Sequence, residues 1–261
     1  MKVSIIIPSI GRIPSLERLL ISIHTENGYE DDFEIIVVFN NCKVQEKDLS
    51  QIKNKCKYYR IEKIGAAAAR NYGVSKSRFD WIYFVDDDCI LPKNWKKETN
   101  IVINALNDDA TIIGGDVISY NPSSYIASYL TFIKHLSGPL MIDKKIFSIA
   151  TANMIVNKKL FVATKGFDER LIEGNEDANF VYRVSQLVEV KFIYDMKVFH
   201  DHNISFREFI GKFYRYGYSN AKNMKMLNIN TYNDGVYSVN LDINFFELIF
   251  IILKSAYKRI L

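Results

Sequence analysis

Apolar residues in this chain come in short, solid runs. Val3 to Pro8, Phe33 to Phe39 and Trp81 to Val85 are nearly continuous in apolar side chains, the pattern of strands buried on both faces of a parallel sheet. Between them the period lengthens. Leu16, Leu19, Leu20 and Ile23 recur at helical spacing from Pro14 to His24, and Pro14 is tolerated in a first turn. Ala66 to Ser77 reads as a second helix, Val44 to Lys55 as a weaker one, and Tyr58 to Ile61 as a short strand. This alternation predicts a parallel, doubly wound α/β sheet with right-handed crossovers.

The second half is more mixed. Thr111 to Ser119, Ile149 to Val156 and Val190 to Tyr194 read as strands, and Asp177 to Leu187 as a helix. Ser205-Phe206-Arg207-Glu208 is a capping box that opens a long helix toward Leu227. No internal repeat or low-complexity linker interrupts the chain. We therefore expect one domain over 1–203 and a C-terminal helical extension over 204–261. Within that extension, Phe245 to Leu253 is almost wholly apolar and is followed by Lys254, Lys258 and Arg259. It is shorter than the roughly 20 residues a spanning helix needs. It is expected to pack on the domain, to pair with another subunit as a homodimer, or to lie in a membrane interface.

Chemistry enters where the third apolar run stops. Trp81 to Val85 is followed by Asp86, Asp87 and Asp88, so a buried strand delivers three carboxylates to the sheet edge where open α/β folds bind ligands. Hard divalent cations take carboxylate oxygens and bridge them to phosphates. A solvated acidic turn is the competing explanation, because Asp favours turns. A second acidic pair, Glu176 and Asp177, falls at or just before a helix N-terminus, where the dipole favours the ionised form. That is a suitable place for a general base, and equally a common helix cap. His200 and His202 follow a strand and are candidate metal ligands or plain surface histidines. The small-residue segment from Gly65 to Gly73 carries Arg70, whose fork suits phosphate oxygens, or is a tightly packed helix. It is no P-loop, since no Gly-Lys-Ser/Thr follows.

Composition narrows the class. At 48% hydrophobic and 13% aromatic, the 261 residues can bury a sizeable core, which excludes a disordered chain. A net charge of +4 gives little reason to expect a nucleic-acid partner. Charge is concentrated between Met196 and Asn228, where six Lys/Arg face two acids and are interleaved with aromatics. Such a helix suits an anionic membrane surface or a phosphorylated acceptor, or is simply amphipathic with a wet basic face. Cys42, Cys56 and Cys89 are odd in number and lack metal-ligand spacing, so a reducing, cytoplasmic setting is expected, without disulfide or zinc. The chain opens directly on a strand, and no signal peptide is read there.

Taken in order, these segments resemble the family 2 glycosyltransferases, inverting enzymes of GT-A fold, over roughly residues 2 to 220. The resemblance rests on Pro8-Ser9 after a strand, Gly65-Ala66-Ala67-Ala68-Ala69-Arg70-Asn71 opening a helix, Asp-Asp-Asp, Gly166-Phe167-Asp168-Glu169, Glu176-Asp177 and then His. It implies that Asp86 and Asp88 bind Mn²⁺ or Mg²⁺ with the donor diphosphate, with His200 as third ligand and His202 in reserve. It implies that Asp87 faces the ribose or sugar, that Pro8 and Ser9 cradle the nucleotide, and that Arg12 and Arg70 approach it or its diphosphate. Asn153 would line the donor-sugar pocket, Asp177 would be the base, and Glu176 would support it or contact the acceptor. The expected substrates are a nucleotide sugar, by default a UDP-sugar, and a glycan or lipid-linked glycan acceptor. The expected setting is cell-surface polysaccharide or glycoconjugate synthesis, in the cytoplasm or at the cytoplasmic membrane face.

One departure matters. The family commonly ends its second strand in an acid that reads the nucleotide base, whereas Phe39 stands here, leaving Asn40 as the nearest acceptor. A nucleotidyltransferase consuming a nucleoside triphosphate is the rival enzyme, although it has no evident use for Asp177. A non-catalytic nucleotide-sugar-binding subunit is the rival without chemistry.

Overall fold

The three apolar runs lie side by side at the centre of an eight-stranded sheet. The structure, a computed structural model, describes residues 2–24, 32–44, 56–104, 111–142 and 144–227. Strands β1 (Val3–Ser9), β2 (Phe33–Asn40), β3 (Lys57–Ile61) and β4 (Trp81–Phe84) are mutually parallel in the order β3-β2-β1-β4. All residues of β1 and β2 are buried, as the unbroken apolar runs require. Alternate side chains then sort to opposite faces. Ile5, Ile7, Ile35 and Val37 meet Leu16, Leu19, Leu20 and Ile23 of α1 (Ile13–His24). Ile6, Ile36 and Val38 meet Ala67, Ala69 and Val74 of α2 (Ala66–Lys76). Each large aliphatic side chain so buried contributes about 1.5–3 kcal/mol, which outweighs the marginal intrinsic stability of so short a helix.

Beyond β4 the sheet becomes mixed. The remaining elements are β5 (Cys89–Ile90), α3 (Trp95–Asn104), β6 (Ile112–Ser119), α4 (Tyr125–Phe132), β7 (Leu140–Ile142), β8 (Lys145–Ser148), β9 (Met154–Asn157), α5 (Lys158–Ala163), α6 (Glu176–Ser185), β10 (Val190–His200) and α7 (Phe206–Leu227). The full order is β3-β2-β1-β4-β9-β6-β10-β5, with β7 and β8 forming a separate hairpin. β9 lies antiparallel between β4 and β6, β10 is parallel to β6, and β5 pairs antiparallel with the end of β10. The expected parallel sheet thus holds for the first four strands; of the other four, β6 and β10 run with them and β9 and β5 against them.

Two expected strands change shape. The one over Ile149 to Val156 is broken by a 3₁₀ turn at Thr151–Asn153, and only Met154–Asn157 is strand. Its interruption coincides with Asn153, whose side-chain amide is tied to three neighbouring groups described below. The strand at Val190 runs past Tyr194 to His200, because after an irregularity between Ile193 and Lys197 it pairs again with β6. The capping box is formed: Ser205 N donates to Glu208 Oε2 at 2.7 Å and Glu208 N to Ser205 Oγ at 3.3 Å, opening α7. The weaker helix expected at Val44 to Lys55 falls almost entirely outside the described residues, and the apolar tail from Phe245 lies outside them altogether.

Candidate active site

The acidic triplet sits at the carboxyl edge of the parallel strands. β4 ends at Phe84, Val85 N donates to Ile6 O at 3.3 Å, and the chain turns through Asp86, Asp87 and Asp88 into β5. The pairing of β5 with β10 places Cys89 opposite His200, and Asp201 N donates to Asp88 O at 3.1 Å. That register brings His200 Nε2 to 3.2 Å from Asp88 Oδ1. Residues 112 positions apart in sequence are joined by strand pairing alone.

The three carboxylates occupy different environments. Asp86 is the most open and accepts from Arg70 Nη2 at 2.6 Å. Asp87 is buried, accepts from Ser9 Oγ at 2.7 Å and is paired with Arg12. Burial pushes its carboxyl up to about 6, with Asp88 adding to the rise and Arg12 and Ser9 opposing it. Asp88 accepts from Arg12 Nη1 at 2.7 Å. Burial acts to raise its carboxyl, but His200 and Arg12 together hold it well below the usual carboxylate range. Arg12 therefore clamps two acids, and its own charge is favoured by them against the cost of burial.

Asp88 Oδ1 is buried and accepts no hydrogen bond. Asp88, Cys89 and His200 bring donor atoms within 4.8 Å of one another. Burial and the nearby Asp88 and Asp86 carboxylates hold the Cys89 thiol protonated, so oxygen and imidazole donors remain. A carboxylate–imidazole pair of this kind fits Mn²⁺ or Mg²⁺ better than a thiolate-seeking ion. His202 stacks on His200 with ring centroids 4.5 Å apart, and its imidazole is pushed down to about 3 by burial and by His200.

The second acidic pair is held by the turn preceding α6. Gly174 has φ +122° and a Cβ there would stand 3.2 Å from the Tyr216 ring, so backbone conformation and packing both require glycine. Asn175 follows in the left-handed region at φ 62° and donates through Nδ2 to Tyr216 O at 3.2 Å. Glu176 is buried and accepts from Arg70 Nη1 at 2.6 Å. Arg70 is almost inaccessible and forks between Asp86 and Glu176, joining the two acidic sites. Asp177 makes no ion pair among the described residues, although Arg70 lies near enough to oppose the rise of its carboxyl. Burial and the adjacent Glu176 push its carboxyl up to about 7. Tyr216 completes this wall, its phenol raised by burial and by Asp177 and Asp86.

The structure gathers some expected residues and not others. Pro8, Ser9 and Asn40 end β1 and β2 at the same sheet edge. Asn153 is fully buried: its Oδ1 accepts from Tyr83 Oη at 2.9 Å, and its Nδ2 donates to Asp116 O at 3.0 Å and Met196 O at 2.8 Å. Its amide is thus committed within the sheet. Both terminal nitrogens of Arg70 are engaged by carboxylates. Sequence reasoning missed Lys212 and His135. Lys212 lies over the Tyr216 ring at 5.6 Å, and its ammonium is lowered by burial while Asp88 and Asp86 support its charge. His135 packs against His202, Phe213 and Tyr216. No local motif marks either residue.

Residues 4–163, more than half the chain, match the family described as Glycosyl transferase family 2. The chain belongs to that family. An uncharacterized glycosyltransferase of Haemophilus influenzae is 31% identical over 108 residues, covering 38% of this chain and 34% of that relative. The chain therefore matches about a third of the relative's length. S. aureus TarS 1-349 in complex with UDP-GlcNAc superposes with TM-score 0.62 at 18% identity, covering 78% of this chain and 60% of that one. The mannosyltransferase PcManGT of Pyrobaculum calidifontis, in complex with GDP-Man and Mn²⁺, gives TM-score 0.65 at 13% identity, covering 88% and 64%. At these identities the likeness is one of fold, and that fold is the GT-A α/β architecture expected from the motif order.

Proposed function

We propose that this family 2 glycosyltransferase moves a sugar from a nucleoside diphosphate donor to a glycan or lipid-linked glycan hydroxyl, with inversion at the anomeric carbon. The observation that carries this reading is Asp177, a carboxyl raised to about 7 beside a second acid, in no ion pair among the described residues, and tethered through Glu176 and Arg70 to the Asp86 site. A base poised near neutrality takes the proton of an attacking hydroxyl efficiently. Glu176, held in place by Arg70, fixes that end of α6, and its negative charge adds to the rise of the carboxyl beside it.

Asp88 and His200, with Asp86 at the mouth, would hold Mn²⁺ or Mg²⁺. When bound, the ion supplies charge stabilisation to the departing diphosphate. Arg12 keeps Asp87 and Asp88 in place around it. Ser9 and Pro8 at the end of β1, and Asn40 at the end of β2, border the nucleotide side. The base is read without an acid at Phe39, which is buried against Tyr58. A UDP-sugar remains the first donor to test, and the fold neighbours bind both UDP-GlcNAc and GDP-Man. Cys42, Cys56 and Cys89 are all free thiols, which supports a cytoplasmic setting for cell-surface glycan synthesis.

A panel of nucleotide sugars, screened by thermal shift with Mn²⁺ and then assayed for transfer, tests the reading. The expected result is stabilisation by one nucleoside diphosphate sugar, and a product whose anomeric configuration by NMR is opposite to the donor's. Retained configuration overturns the inverting assignment. Consumption of a nucleoside triphosphate with release of pyrophosphate overturns the transferase reading as a whole.

A further inference from the structure

Helix α7 has two faces, and the catalytic site uses only one. Lys212 and Tyr216 face the acids, while Phe209, Ser219 and Asn223 are buried against the domain. Asn179 Nδ2 donates to Asn223 Oδ1 at 2.8 Å, and Lys222 Nζ donates to Arg170 O at 2.6 Å, fixing how the helix is rolled. On the opposite side Ile210, Tyr214 and Tyr218 are 52%, 77% and 62% exposed. Their spacing of four residues places them on one stripe. Phe206, at the start of the helix, is exposed as well.

A neighbouring helix extends this surface. Asn203 Oδ1 accepts from Ser123 N at 3.0 Å and Ser124 N at 3.3 Å, tying the start of α4 to the start of α7. The rings of Tyr129 and Phe209 meet edge-on at 6.0 Å between the two helices. α4 then leaves Tyr125 and Phe132 exposed, the latter at 72%. Large apolar and aromatic side chains exposed on both of these tied helices are more than the scatter of single exposed residues a soluble protein carries.

The charge beside this stripe is positive. Of the α7 cations, Lys212 faces the acids, Lys222 is tied to Arg170 O and Arg215 Nε lies 3.8 Å from Glu173 Oε2. This leaves Arg207 and Lys225 next to the exposed stripe, and the one acid of α7, Glu208, is engaged by Ser205 in the capping box. Aromatic rings flanked by Arg and Lys suit the boundary between lipid headgroups and acyl chains, where rings bury and cations meet anionic phosphates. We infer that the exposed face of α4 and α7 seats the protein on an anionic lipid bilayer. Among the described residues no helix is long and apolar enough to cross a membrane, so the contact is one of lying on the surface. An α-helix is about 10–12 Å across, so Lys212 and Tyr216, facing the acids, would lie roughly one helix diameter from the headgroups. That placement favours an acceptor carried by a membrane lipid. This last step rests on the transferase reading; the docking itself does not.

Co-sedimentation of the full chain with vesicles tests the inference. The probes are phosphatidylcholine alone and phosphatidylcholine mixed with phosphatidylglycerol. Binding is expected to the mixed vesicles only and to weaken as salt is raised. The double variant Arg207→Gln/Lys225→Gln is expected to lower binding on the order of 30-fold, at about a factor of five per cation removed. The triple variant Ile210→Ser/Tyr214→Ser/Tyr218→Ser is expected to abolish it, with circular dichroism and melting temperature showing that the fold is kept. Several outcomes would overturn the inference: no vesicle binding, equal binding to both vesicle types, or undiminished binding by the triple variant. The last would place the contact in 228–261. A triple variant that breaks a dimer of a chain that ignores vesicles would assign the face to a second copy instead. Donor-induced thermal shift on the same variants reports the transferase reading separately, so either can fail without the other.

Discussion

Arg70 and Glu176 lie 106 positions apart and meet at 2.6 Å in the interior of the protein, the arginine having entered on α2 and the glutamate on α6. The other terminal nitrogen of the same guanidinium holds Asp86 at 2.6 Å. One buried cation therefore joins the acids after β4 to those that open α6. Asp177, beside Glu176, makes no ion pair among the described residues, and burial together with Glu176 raises its carboxyl.

Asp177→Asn is expected to lower kcat by roughly 10²–10⁴-fold, the usual contribution of a positioned base. Donor-induced thermal stabilisation should persist, because the substitution keeps the shape and leaves Arg12, Asp86 and Asp88 in place. Turnover assays alongside thermal shift check both halves. Loss of donor binding together with activity would count against Asp177 as the base.

The pH dependence has a defined sign. Asp177 titrates near 7 in the folded protein and near about 3.9 when unfolded, so the native state retains a proton that the unfolded chain releases. Its contribution to stability is full below about pH 4 and is lost as pH rises through about 7. Activity runs the other way, rising through the same range as the base ionises. Urea unfolding and initial rates from pH 5 to 8 check this, with Asp177→Asn expected to flatten its part of the stability profile.

Arg70→Met should destabilise the protein by about 3–5 kcal/mol, because it leaves the buried Glu176 without its cation. Arg70→Lys should recover only part of this, since an ammonium cannot fork in a plane between Asp86 and Glu176. Urea unfolding of both variants gives the comparison. Equal stability of the Met and Lys variants would mean that fork geometry contributes nothing.

Asp88→Ala and His200→Ala should each abolish stabilisation by Mn²⁺, measured as the shift in Tm between added metal and chelator, as expected of an ion that binds the native state. Cys89→Ser should leave that shift largely in place, because the thiol is held protonated and supplies no thiolate. A Cys89→Ser protein that no longer responds to Mn²⁺ would make sulfur a ligand.

Much of the fold was legible from the chain because its signals are local. Solid apolar runs specify strands buried on both faces, and the i, i+3, i+4 spacing of Leu16, Leu19, Leu20 and Ile23 specifies α1. Ser205 and Glu208 form the capping box their spacing predicts. The break at Thr151–Asn153 was not legible, since Ile149 to Val156 reads as a strand until Asn153 finds Tyr83, Asp116 and Met196. The extension of β10 to His200 was equally hidden, because Asp195 and Lys197 interrupt the apolar pattern and only re-pairing with β6 carries the strand onward.

By itself, the sequence determined which side chains were available and which edge of the sheet they would reach. A strand ending in three aspartates, a helix beginning Glu-Asp and a histidine after a late strand are all written in residue order. Tertiary structure decided how those groups differ from one another. Asp86, Asp87 and Asp88 are chemically identical and adjacent, yet one is open, one is raised by burial against the pull of Arg12, and one is held low by His200 and Arg12. Those partners come from other elements, and their distances depend on strand register and helix roll. Lys212 and His135 joined the site for the same reason, by packing that no local pattern encodes. Ionisation and metal fit depend on burial and on distances of a few ångströms, and only the folded chain sets those.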